Sequence, residues 1–235
     1  MRPAPDQPRY NVGTALLAWV GAFTVGVFGG TIVLTLTGHA GTEQNALPLW
    51  VLALSYVPLS LGLVGATAVV SHIFGTGRVR DDYGLRVRFV DLWGVPAGVV
   101  VQLVFVRILY IGLRGLGLDT SNVDQRAKDL TDRAHNGFGV TMLVLFVVVA
   151  APIAEELFFR GLVLRSIAAR YSDAVAVVGS AILFAFIHFQ PLQFPGLALF
   201  GLVAGYCAHR TRRLGMSMFA HAAFNATAVV VLLRR

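Results

Sequence analysis

Residues 44–77 read QNALPLWVLALSYVPLSLGLVGATAVVSHIFGTG, with no Asp, Glu, Lys or Arg between Glu43 and Arg78. A soluble domain needs charge over most of its surface, whereas a spanning helix needs about 20 apolar residues in succession. A second charge-free stretch runs from Asp173 to Arg210, too long for one helix. Pro191 and Pro195, set in Phe189-Gln190-Pro191-Leu192-Gln193-Phe194-Pro195, divide it into a tight hairpin. Over the whole chain 56% of residues are hydrophobic and only 13% charged. The fold expected is all-α, a polytopic transmembrane helical bundle of about seven spans. They are placed at 12–37, 48–74, 90–113, 138–164, 174–189, 194–209 and 214–233. The chain reads as a single membrane domain, with N-terminal helices and a basic loop over 1–89 and a core over 90–235. The segment from Leu116 to Arg133 reads as the only long polar loop.

The net charge of +7 does not point to nucleic acid, because the basic residues fall in short clusters between apolar runs. With the N-terminus in the cytoplasm, the inside segments hold Arg2, Arg9, Arg78, Arg80, Arg86, Arg88, Arg165, Arg170, Arg210, Arg212 and Arg213, eleven in all. The outside segments hold six: Arg114, Arg126, Lys128, Arg133, Arg234 and Arg235. That bias favours an N-in, C-out arrangement in a membrane. The one lysine among 19 basic residues hints at a high-GC bacterial genome, and so at a bacterial plasma membrane. Membrane lipid is then an obligate partner. The single cysteine, Cys207, excludes an intramolecular disulfide and a cysteine-based zinc cluster. The apolar run from Val12 to Thr37 exceeds the roughly 7–15 residues of a signal peptide core, so an uncleaved first helix is expected.

Ionisable groups at hydrocarbon depth are costly and mark paired or functional sites. The fourth span carries Pro152-Ile153-Ala154-Glu155-Glu156-Leu157-Phe158-Phe159-Arg160. Glu156 and Arg160 stand four apart with the acid first, the favourable order for a helical ion pair. Glu155 points about 100° away and is left as a spare carboxylate, a candidate general base. Pro152 frees the carbonyl of Val148 and kinks the helix before this site. The blander alternative puts both acids at a helix end in water. His188 closes the fifth span, where a lone histidine could equally be interfacial. His221 and Asn225 lie one turn apart on one face of the seventh span and need polar partners inside the bundle. Glu155 and His188 are the partners available. His39, His72, His135 and His209 are expected to face water, Arg107 to snorkel, and Gly201 and Gly205 to allow close helix packing. His-Glu-x-x-His and Gly-x-Ser-x-Gly are absent from the sequence. A glutamate–histidine site that activates water remains.

The ordered set Glu155-Glu156 to Arg160, Phe184 to His188, and His221 to Asn225 resembles the CAAX protease and bacteriocin-processing family, also called type II CAAX prenyl endopeptidases or Abi proteins. Asp82-Tyr83-Gly84-Leu85-Arg86 is similar to a segment found before that family's core. The resemblance implies packed transmembrane helices and a site opening toward the cytoplasm. It implies that Glu155 and His188 activate a water, with His221 and Asn225 stabilising the oxyanion. No cofactor is expected; if a zinc or other divalent metal takes part, Glu155, His188 and His221 are its ligands. The function expected is an intramembrane endopeptidase acting on peptide or membrane-protein substrates. A non-catalytic membrane immunity or scaffold protein, or a proton-coupled transporter with a Glu155–histidine relay, are the competing readings.

Overall fold

The structure, a computed structural model, describes residues 10–134 and 136–234. The expectation for His135 lies outside the described residues. Among the described residues there are nine helices and no strand: α1 (Val12–Leu36), α2 (Leu49–Phe74), α3 (Val79–Asp82), α4 (Phe89–Gly115), α5 (Gln125–Asp132), α6 (Gly137–Ala168), α7 (Asp173–Phe186), α8 (Phe194–Thr211) and α9 (Gly215–Leu233). Five of them, α1, α2, α4, α6 and α9, are each long and apolar enough to cross a membrane. The apolar α7 has only 14 residues, and α8 has 18 with His209 and Arg210 in its last turn. These two form the antiparallel hairpin that Pro191 and Pro195 predict. The polar segment after α4 is not all loop, because residues 125–132 coil into α5.

Helices meet where small residues let their backbones approach. A Cβ on Gly62 of α2 would stand 2.8 Å from the carbonyl oxygen of Ala22 in α1, and one on Gly201 would stand 2.9 Å from Ala181 Cα. The closest approach is between α4 and α9, where a Cβ on Gly94 or Gly98 would run into backbone atoms of Met216, Ala220 and Phe224. Asp91, fully buried at the start of α4, pairs with Arg213 just before α9 at 2.7 Å. The amide of Arg88 also donates to Asp91, at 2.7 Å. That hydrogen-bonded carboxylate holds the Arg213 guanidinium even further above its ordinary value.

The loops before α4 and before α9 close one end of the bundle. Leu214 N donates to Gly84 O at 2.9 Å, and Arg165 Nη2 donates to Arg212 O at 3.1 Å. Tyr83 is fully buried beneath them, its hydroxyl donating to Thr67 O at 3.1 Å. Tyr10 donates to Asp82 O at 3.5 Å, and burial pushes its phenol up to about 12. The DYGLR segment therefore works as a plug that ties α1, α2, α6 and the turn before α9 together.

Helix α6 is irregular on both sides of the two glutamates. Residues Val144–Ala150 and Leu157–Val163 are wound as π-helix, flanking the α-helical turn Ala151–Glu156. Such stretches are rare and concentrate at functional sites. In the first, Ala151 N–H reaches back five residues to Phe146 O. The next donor in that register is Pro152, which has no N–H. The carbonyl given a replacement donor is therefore that of Val147, one residue earlier than regular α-helical spacing predicts.

Candidate active site

Glu155 and Glu156 leave α6 in different directions. The Glu156 side chain is 0% exposed and that of Glu155 21% exposed, so only Glu155 reaches open space. Glu156 Oε1 lies 3.0 Å from Arg160 Nη1, close enough for an ion pair although the approach is not aligned as a hydrogen bond. Arg160 crosses the Phe184 ring, 4.4 Å from its centroid, and Nη2 donates to Gly201 O at 3.3 Å. The expected intrahelical pair is present, and it is clamped between α7 and α8.

The same Glu156 oxygen accepts from His221 Nδ1 at 2.9 Å. This bond was not anticipated; His221 was expected to turn to Glu155 or His188. With Nδ1 committed, Nε2 faces Glu155, 3.7 Å from Oε2. The ring is held by Phe200 and Phe184, with centroids at 4.7 and 5.7 Å. Phe200 carries no motif, and the sequence offered no reason to single it out from the other phenylalanines of the bundle.

His188 sits in the turn after α7. Its Nδ1 donates to Phe184 O at 2.6 Å, which leaves Nε2 as the free lone pair. Phe189 follows with φ of 51°, a left-handed conformation that costs a bulky residue about 1 kcal/mol or more and is common at ligand sites. The turn aims His188 and Gln190 at the cavity that Glu155 also lines. That cavity has a volume of about 740 Å³, bounded by α1, α2, α6 and the α7–α8 turn. A smaller cleft of about 260 Å³ beside α1 contains no acid, base or histidine.

Glu155, His221 and Glu156 are thus in contact, and Glu155 shares a cavity with His188. Asn225 stands apart from it. Its Nδ2 donates to Val147 O at 2.8 Å and fills the position that Pro152 leaves without a donor. Of the other histidines, His72 is exposed, His209 pairs with Asp173 at 3.3 Å, and His39 Nδ1 donates to Thr37 O at 2.7 Å. Arg107 is exposed on the outer surface of α4. As metal ligands the residues fit poorly: among the described residues no three His, Cys, Asp or Glu side chains gather closely enough to hold an ion.

Residues 137–227 match the family model described as type II CAAX prenyl endopeptidase, Rce1-like. The match spans α6 to most of α9, and so includes every residue of the candidate site. It supports the CAAX protease family resemblance read from the motifs. No curated protein and no solved structure matches the chain.

Proposed function

We propose that this chain is an intramembrane endopeptidase of the CAAX protease type, with Glu155 as its general base. The family match supports a membrane-embedded CAAX-type endopeptidase in general terms. The observation that carries the finer reading is the pairing at the inner end of the cavity. Glu155, the acid there, shares the space with His188 and stands 3.7 Å from a histidine whose other nitrogen is already bound.

In this reading a water between Glu155 and His188 Nε2 gives its proton to the carboxylate as its oxygen attacks the scissile carbonyl. The charge then sits on the former carbonyl oxygen. His221, its ring fixed by the Nδ1–Glu156 bond, turns Nε2 toward that oxygen and, when it carries a proton there, donates to the oxyanion. Collapse of the intermediate breaks the C–N bond, and the proton held by Glu155 passes to the departing amine. Asn225 supports this arrangement by holding the π-wound wall of α6 through Val147.

The test is a comparison of membrane peptides from cells expressing the protein and its Glu155→Gln variant. The variant keeps the shape and removes the base, so it is expected to remain folded and lose cleavage altogether. A cleavage pattern unchanged by Glu155→Gln would end this assignment.

A further inference from the structure

The cavity has a direction. At its inner end are Glu155 and His188; at its rim are the exposed Glu43, Gln44 and Asn45, with Asp129 and Arg133 beside them, Arg133 Nη1 donating to Gln44 O at 3.0 Å. The rim belongs to the α1–α2 connection and to α5. Both lie at the end of the bundle opposite the plug formed by Asp82–Arg86, Arg165 and Arg212–Leu214. Among the described residues, positions 78, 80, 86, 88, 165, 170, 210, 212 and 213, all arginine, belong to the plug end, against the five basic positions 114, 126, 128, 133 and 234 at the rim end. By the positive-inside rule the rim is extracytoplasmic. An N-in orientation and a site opening toward the cytoplasm therefore exclude each other in this molecule.

The lining also bears on the occupant. The walls are apolar, with Trp19 and Phe23 from α1 and Phe146 from α6. Beside the site, Gln190 Oε1 is buried and receives no hydrogen bond from any described residue. A buried acceptor of this kind is costly until a donor arrives. A hydrocarbon chain brings none, whereas an extended polypeptide brings one N–H per residue along with apolar side chains for the walls.

We propose that the cavity admits an extended polypeptide segment from the extracytoplasmic face, its backbone N–H donating to Gln190 beside Glu155. The substrates are then exported or membrane-inserted chains, not the prenylated cytoplasmic C-termini that give the family its name. This rests on the endopeptidase reading for what happens at Glu155, but the route of entry is measurable without turnover.

The experiment uses the full chain in cells, with Cys207→Ala removing the native thiol. Ala53→Cys places a thiol in the cavity wall, and Thr76→Cys places one on the plug side. A membrane-impermeant maleimide is added to intact spheroplasts, then to permeabilised ones, in backgrounds with and without Glu155→Gln. Ala53→Cys should react from outside in both backgrounds, and Thr76→Cys only after permeabilisation. A soluble peptide, acetyl-Lys-Leu-Phe-Val-Leu-Lys-amide, should slow the reaction at Ala53→Cys, and Gln190→Leu should abolish that protection. Labelling of Ala53→Cys only after permeabilisation overturns the route. Protection by farnesol but not by the peptide overturns the occupant. If the labelling holds but Glu155→Gln changes no cleavage, the endopeptidase reading fails and the entry route stands.

Discussion

The carboxylate of Glu156 serves two partners at once, the Arg160 guanidinium at 3.0 Å in its own helix and His221 Nδ1 at 2.9 Å from α9. Glu156→Gln would leave Arg160 as a buried charge without a counter-ion, a loss that typically costs about 3–5 kcal/mol. It would also release His221 Nδ1 from the acceptor that fixes the ring. The expected outcome is a lowered melting temperature in detergent together with reduced cleavage. Glu155→Gln, by contrast, should lose cleavage at unchanged melting temperature. A Glu156→Gln protein as stable as the parent would refute the counter-ion role. The Glu156–Arg160 pair was legible because four residues make one helical turn. The Glu156–His221 bond spans 65 residues of chain, and nothing in local spacing encodes which of two adjacent acids a distant histidine will meet.

Among the elements, α4 and α9 form the contact that sets His221 in depth and rotation. Gly98 faces Ala220 O and Phe224 N, the backbone on either side of His221, and backbone cannot swing aside as a side chain can. Gly98→Ala should therefore separate the helices, costing about 1–3 kcal/mol as overpacking does. It should also reduce cleavage, although residue 98 touches neither the cavity nor the site. Gly65→Ala, with nothing within 4 Å of its new Cβ, serves as the control and should change neither stability nor cleavage. Equal effects from both would show that helix propensity, not packing, is being measured. Helix positions were readable from hydropathy to within a few residues, but among the described residues only five of the seven expected spans are long and apolar enough to cross a membrane. The first π-wound stretch of α6 was not readable, because the carbonyl that Pro152 leaves without a donor is bonded by Asn225 from another helix.

At the scale of the whole molecule, the site is assembled from α6, the α7–α8 turn and α9, which pack as one core. Glu155 and His221 approach to 3.7 Å, while His188 is brought to the same cavity by a separate turn. A catalytic zinc commonly has three protein ligands fixed at about 2 Å. This arrangement does not supply them, so prolonged chelation of purified protein should leave most cleavage intact. Complete loss, restored by stoichiometric zinc, would require Glu155, His188 and His221 to close together as ligands. The sequence held the order and residue types of the site, but not the depth at which each enters the cavity.

The shortness of α7 has a consequence outside the protein. Its 14 residues cover about 21 Å at 1.5 Å each, whereas the 25 residues of α1 cover about 37 Å. Val175, Val178, Ile182 and Phe186 form an outward stripe on α7, so lipid meets this short helix directly. Where α7 crosses the bilayer, hydrocarbon of about 30 Å has to thin along that flank while α1 tilts through it on the other. Such a flank would act as a ramp, with acyl chains shortened or splayed beside Phe186 and Phe189. A neighbouring single-span helix drifting toward that flank would find its apolar length too great for the local bilayer, and its end pressed out toward the headgroups.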